Sequence, residues 1–300
     1  MVPRIAGLAI IVALVVALRH LDLGRVATSL VATRPLWLLL ACASYFAILP
    51  LWALLWCLLA PPSHRPSFAR MFGVIASTSS VLNTTPMLVG EAAGVVFLVT
   101  RAGLERAAAL SVLAMDQLLV GIAKVGVLTL ATWLLVLPLW MERGLRALSV
   151  VVALLLAGLM AFAWGSSAFV RMATRWLPPR AERVLHALGA ALAPLRSPSR
   201  GGGALALALL KKLAEVIAIV CVQRAFGVML PPSSAVLVLA ALNLATLLPV
   251  VPGNVGVYEA AVVVAYGYLG IDPARALAMA LVQHACYFAA LALPGYWSLA

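Results

Sequence analysis

Four carboxylates, Glu91, Asp116, Glu215 and Glu259, stand inside long apolar runs, as do Lys124, Lys211, Lys212 and the titratable His284. An ionised side chain at the centre of a bilayer costs about 2.5–3.5 kcal/mol on insertion scales. The chain has only nine acids, so four in such places need partners or a task. Groups of this kind pair with one another, bind the polar head of a ligand, or carry a proton. Gln117, Asn243 and Gln283 add neutral donors and acceptors within the same runs.

Local roles compete with these. Lys211 and Lys212 precede Glu215 by four and three residues, so one helix face can neutralise itself. Asp116 and Lys124 lie eight residues apart, on one face but too far to touch, and can share partners from a facing helix. Glu259 follows Gly256 by three residues, the place of an acid that caps a helix N-terminus. Capping and headgroup binding are compatible there. His284 reads either as a core histidine or as a ligand or proton-relay group.

The signatures of nucleotide and hydrolytic chemistry are missing: no P-loop, no Gly-x-Ser-x-Gly elbow, no His-Glu-x-x-His. Cys42, Cys57, Cys221 and Cys286 lie in apolar runs without paired spacing, and read as small buried hydrophobes. The expectation is a protein that is not an enzyme, with no catalytic residues, no metal site and no cofactor.

The elements that must position these groups follow from composition. Of 300 residues, 65% are hydrophobic and 10% charged, against roughly 25% charged in a soluble domain. A water-soluble globule cannot hide that much apolar surface. A spanning helix needs about 20 mostly apolar residues, and 35–60, 104–137, 143–164, 203–230 and 273–299 meet or approach that length. They lack the dyad alternation of a barrel strand, so they are helices. Helices are expected at 5–23 (an uncleaved first helix), 35–60 with a kink at Pro50, 68–85, 104–136, 143–164, 203–229, 233–250 and 273–299, with an interfacial stretch at 22–34.

Residues 86–100 and 254–268 are too short to cross and open with proline and glycine, as re-entrant half-helices do. They also correspond. Pro86, Gly90, Glu91, Gly103, Ala107 and Leu110 are answered by Pro252, Gly256, Glu259, Gly270, Ala274 and Leu277, at offsets of 166 to 168 residues. This is the pattern of an internal duplication, with repeat one at about 35–137 and repeat two at about 203–299. Paired, glycine- and proline-interrupted short segments point to a transporter's binding site. The alternative is that they serve close helix packing alone.

Net charge is +12. Arg171, Arg175, Arg180, Arg183, Arg196 and Arg200 share one connector with a single acid, Glu182, so 165–202 is expected on the cytoplasmic side. No basic patch is interleaved with aromatics, and nucleic acid is not an expected partner.

With these residues in hand, the chain resembles the lysylphosphatidylglycerol synthase transmembrane (flippase-like) family, as a single-module member without the synthase domain. The resemblance rests on Asn83 to Glu91 (NTTPMLVGE) in the first half. In the second it rests on Asn243, Pro249, the run VPGNVGVYEAA at 251–261, Gly270, Tyr287 and Pro294, with the basic connector and Gly227. It implies translocation or delivery of a lipid: an aminoacyl-phospholipid, glycolipid, polyprenyl-linked lipid or hopanoid. Three positions depart from the family pattern. Ala93-Gly94 stands where an arginine is usual, Asp116-Gln117 with Val120 replaces Glu-Arg-x-x-Asp, and the arginine near His284 is absent. Basic positions are softened while the acids stay, which leans toward a neutral polyol or cationic headgroup.

The expected protein is therefore an all-α integral membrane protein, one membrane domain over 1–300, multi-pass in the cell inner membrane. About eight transmembrane helices and two re-entrant half-helices enclose a polar cavity. Glu91 and Glu259 with Gly90, Gly253, Asn254 and Gly256 are expected to line the site. Asp116, Gln117, Lys124, Glu215, Asn243, Gln283 and His284 are expected to set its polarity. Membrane lipids are the expected partners, with lipid-biosynthetic membrane enzymes as further candidates. The alternatives are a non-transporting subunit of a lipid-biosynthetic complex and a small-solute secondary transporter.

Overall fold

Proline and glycine set most of the element boundaries. The computed structural model describes residues 23–62, 65–85, 89–134, scattered positions between 139 and 154, 198–246 and 251–299. The helix expected at 143–164 falls almost wholly outside these residues. So do the first helix before residue 23 and the connector over 165–197. Every regular element among the described residues is helical.

The first is α1 (Leu23–Val31), a strongly amphipathic helix where the interfacial stretch was expected. Helices α2 (Pro35–Phe46) and α3 (Ile48–Leu59) form one 25-residue apolar span broken at Ala47. The break lies three residues before Pro50, not on it. A proline ring clashes with the carbonyl four residues earlier, here that of Phe46, so the ladder opens there. Then come α4 (Phe68–Thr84), capped by Ser67, the short α5 (Val89–Thr100) and the 29-residue α6 (Arg106–Leu134).

The second half holds α7 (Pro198–Ala225), α8 (Pro232–Ala245), α9 (Val257–Tyr268), α10 (Pro273–Leu291) and α11 (Leu293–Leu299). Helix α7 starts five residues before its expected position, inside the end of the basic connector, and α8 stops five residues early. A one-residue break at Ala292 divides what the sequence reads as one helix over 273–299. Asp272 caps α10, accepting from Ala274 N at 3.1 Å and Arg275 N at 3.2 Å.

Among the described residues, three helical stretches are long and apolar enough to cross a membrane: Pro35–Leu59, Arg106–Leu134 and Pro273–Ser298. Helix α7, though 28 residues long, is not among them, because Lys211, Lys212 and Glu215 interrupt its middle. Its polar side is turned inward. Helix α7 packs against α2, α3, α6 and α8, while Leu209, Leu210, Leu213 and Ile217 stay exposed. That arrangement suits a lipid surround, where apolar side chains cost nothing outside and charges must be shared inside.

Small residues let the helices approach. Ala276, Ala278 and Ala280 of α10 and Ala235, Ala240 and Ala241 of α8 are fully buried, the composition expected where packing rather than hydrophobic expulsion joins helices. Ser44 Oγ donates to Ala214 O at 2.8 Å, tying α2 to α7. Arg101, at the end of α5, donates to Ser77 Oγ at 3.0 Å and Ser298 O at 2.8 Å, tying α5 to α4 and α11.

Candidate functional site

A cavity of about 300 Å³ opens where α2, α3, α4, α5, α6, α7 and α8 meet the turn before α9. Three ammonium groups and three carboxylates line it: Lys124, Lys211, Lys212, Glu91, Asp116 and Glu215. Gln117, Asn243, Gly253 and Asn254 complete the set of sequence-expected residues on its wall.

Two charge pairs brace the wall. Asp116 Oδ2 accepts from Trp52 Nε1 at 2.8 Å, and its Oδ1 lies 3.6 Å from Lys211 Nζ. The Lys211 ammonium also sits over the Trp52 ring, 4.6 Å from its centroid. This triad joins α3, α6 and α7. Lys212 Nζ donates to both oxygens of Glu215 at 2.7 and 2.8 Å, and approaches Asn243 Oδ1 of α8 at 3.4 Å. Of the two lysines spaced to neutralise Glu215, Lys212 does so. Lys211 crosses to Asp116 on the facing helix α6, a partner that Lys124 does not share.

Glu259 and His284 do not line the cavity. Glu259 is the third residue of α9; its Oε2 accepts from Gly256 N at 2.6 Å, the acidic half of a capping box, since Gly256 has no side chain. Its Oε1 lies 2.6 Å from His284 Nδ1. The His284 ring stacks on Tyr258, with centroids 4.2 Å apart and planes at 13°. Gln283 Nε2 donates to the Tyr258 hydroxyl at 2.9 Å. Glu259, His284 and Gln283 thus form a layer behind Tyr258, and Tyr258 presents that layer to the cavity. Gly90 and Gly256 also lie off the wall.

The glycines act through space and dihedral angle. Gly253, at φ 61°, turns the chain where a Cβ would sit 2.9 Å from Asn83 O at the end of α4. At Gly90 a Cβ would sit 2.5 Å from Leu82 Cα, so α5 can fold back closely on α4.

Tyr45, Trp52, Ser79 and Tyr258 line the cavity without having been singled out for it. Aromatic residues in an apolar run carry no periodic signal, and it is the packing of α2 on α7 and α10, of α3 on α6 and α7 and of α9 on α8 and α10 that places them on the wall. Tyr45 and Tyr287 meet edge to face at 5.4 Å, and Tyr45 and Tyr258 hydroxyls lie 3.4 Å apart.

The fold and site define a multi-pass helical membrane protein with a charged interior cavity. Residues 4–295 match the family described as the lysylphosphatidylglycerol synthase TM region, and the chain belongs to it, as the sequence resemblance anticipates. The family is associated with membrane-lipid function. No curated protein and no solved structure matches the chain.

Proposed function

We propose that the protein moves an amphipathic lipid across, or delivers it out of, the inner membrane, holding the headgroup in the cavity while the acyl chains stay in the bilayer. One observation carries this reading: three carboxylate and three amine side chains line one cavity among helices whose outer faces are apolar. A cavity of about 300 Å³ suits a headgroup and not a whole lipid. The protein acts as a carrier and not as an enzyme, with membrane lipids as partners and lipid-biosynthetic membrane enzymes as the source of its cargo.

The same reading takes the chain as two repeats, with eight spanning helices and re-entrant α5 and α9. Helices α5 and α9 are each 12 residues long, and their third residues are Glu91 and Glu259. A helix of 12 residues is only about 18 Å long, against a hydrocarbon core of about 30 Å. Purified protein in proteoliposomes should move a reporter lipid between leaflets with no added subunit. Failure to do so, with lipid movement restored only by a partner enzyme, would favour a non-transporting subunit.

The topology has its own expected result. In a variant lacking the four native cysteines, single cysteines placed at either end of α5, or of α9, should react with an impermeant thiol reagent from one and the same face. Cysteines in 165–202 should react only after permeabilisation. Opposite-face labelling of the two ends would make α5 and α9 true spans and change the symmetry of the repeats.

A further inference from the structure

We infer that the cavity is built for a zwitterionic headgroup, with a phosphate held at Lys124 and an ammonium at Glu91; this rests on the lipid-handling reading above. Four of the six charges on the wall are already matched. Lys211 lies 3.6 Å from Asp116, and Lys212 lies 2.7 Å from Glu215. Among the described residues, Glu91 keeps a buried Oε2 with no hydrogen-bond partner. Lys124 forms no hydrogen bond or ion pair among them either. The charges that act on it, Lys212 and Glu215, are already paired with each other. One ammonium and one carboxylate are left over, on α6 and α5, helices that pack together.

An unmatched charge at membrane depth is costly, and a ligand that supplies both complements removes both costs at once. An anionic headgroup would match Lys124 and leave Glu91 bare. A cationic one would do the reverse, and an uncharged polyol would match neither. Among the described residues, two further buried atoms on the wall have no hydrogen-bond partner: Asp116 Oδ1 and Asn243 Nδ2, on residues only 1% and 3% exposed. The first can accept from an ammonium beside its pairing with Lys211, and the second can donate to a phosphate oxygen. The softened arginines of the sequence pointed away from an anionic group. The lysines that the fold gathers on the wall restore the balance.

The test is binding of short-chain lipids to the detergent-purified protein, comparing dihexanoyl phosphatidylethanolamine, dihexanoyl phosphatidylglycerol and an uncharged glucosyl diacylglycerol of the same chain length. The ethanolamine lipid should bind at least tenfold tighter than either of the others. Glu91→Gln and Lys124→Gln should each lose at least tenfold of that affinity, and only Lys124→Gln should weaken the glycerol lipid. Neither variant should melt lower than the parent without lipid, because each removes a charge that has no partner among the described residues. Equal affinity for the three headgroups overturns the inference, and so does a drop in the lipid-free melting temperature of either variant. The readout needs no transport. Tight ethanolamine binding without movement in proteoliposomes leaves this inference standing and overturns the transport proposal; lipid movement with no headgroup preference does the opposite.

Discussion

Asp116→Leu is expected to destabilise the detergent-solubilised protein by about 3–5 kcal/mol, the usual cost of removing one partner of a buried ion pair. Asp116 is 1% exposed and Lys211 7%. With the carboxylate gone, the Lys211 ammonium loses its paired carboxylate and keeps the Trp52 ring, and Trp52 Nε1 loses its acceptor. The double variant Asp116→Leu with Lys211→Met should recover most of the loss, since replacing both partners by apolar groups of similar size is often neutral. Thermal unfolding of the two single variants and the double variant gives the coupling between the residues. Additive losses would mean that the pair does not act as a unit and that α3, α6 and α7 are held together by other contacts.

Glu259→Gln separates the two roles that its sequence position leaves open. The carboxylate accepts from Gly256 N and meets His284, both at 2.6 Å. Hydrogen bonds to a charged group are worth about 1.5–3 kcal/mol each, and an amide keeps part of that. The expected result is a loss of about 1–3 kcal/mol in unfolding free energy, read as a lower melting temperature. Lipid transfer should weaken but persist, because Tyr258 is the part of this layer on the cavity wall. The opposite pattern, an unchanged melting temperature with transfer abolished, would make Glu259 a carrier of charge or of a proton and would refute the positioning role.

Much of this protein is written locally. An apolar composition of 65% and runs of about 20 residues place it in a membrane whatever its tertiary structure. Pro35, Pro232 and Pro273 each sit at the first position of a helix, where the missing N–H is harmless. Gly256 and Glu259 mark the start of α9 because a cap is made within four residues. The pairing of Lys212 with Glu215 is equally local, one turn along α7.

What faces what was not legible. Trp52 and Asp116 are 64 residues apart in the chain and Tyr45 and Tyr258 are 213 apart, and no spacing rule links them. A lysine four residues before a glutamate is as well placed for that glutamate as one three residues before it. Only the crossing of α7 with α3 and α6 sends Lys211 to Asp116 and Trp52. Likewise Glu91 and Glu259 hold the same position in two 12-residue helices, yet one faces the cavity and the other is taken up by His284. The sequence by itself determined the solvent, the helices and the charges that lie at membrane depth, because hydropathy, proline geometry and capping act within a turn or two. The tertiary structure alone decided which charges are matched and which stay unmatched among the described residues, because that depends on side chains meeting across helices distant in the chain.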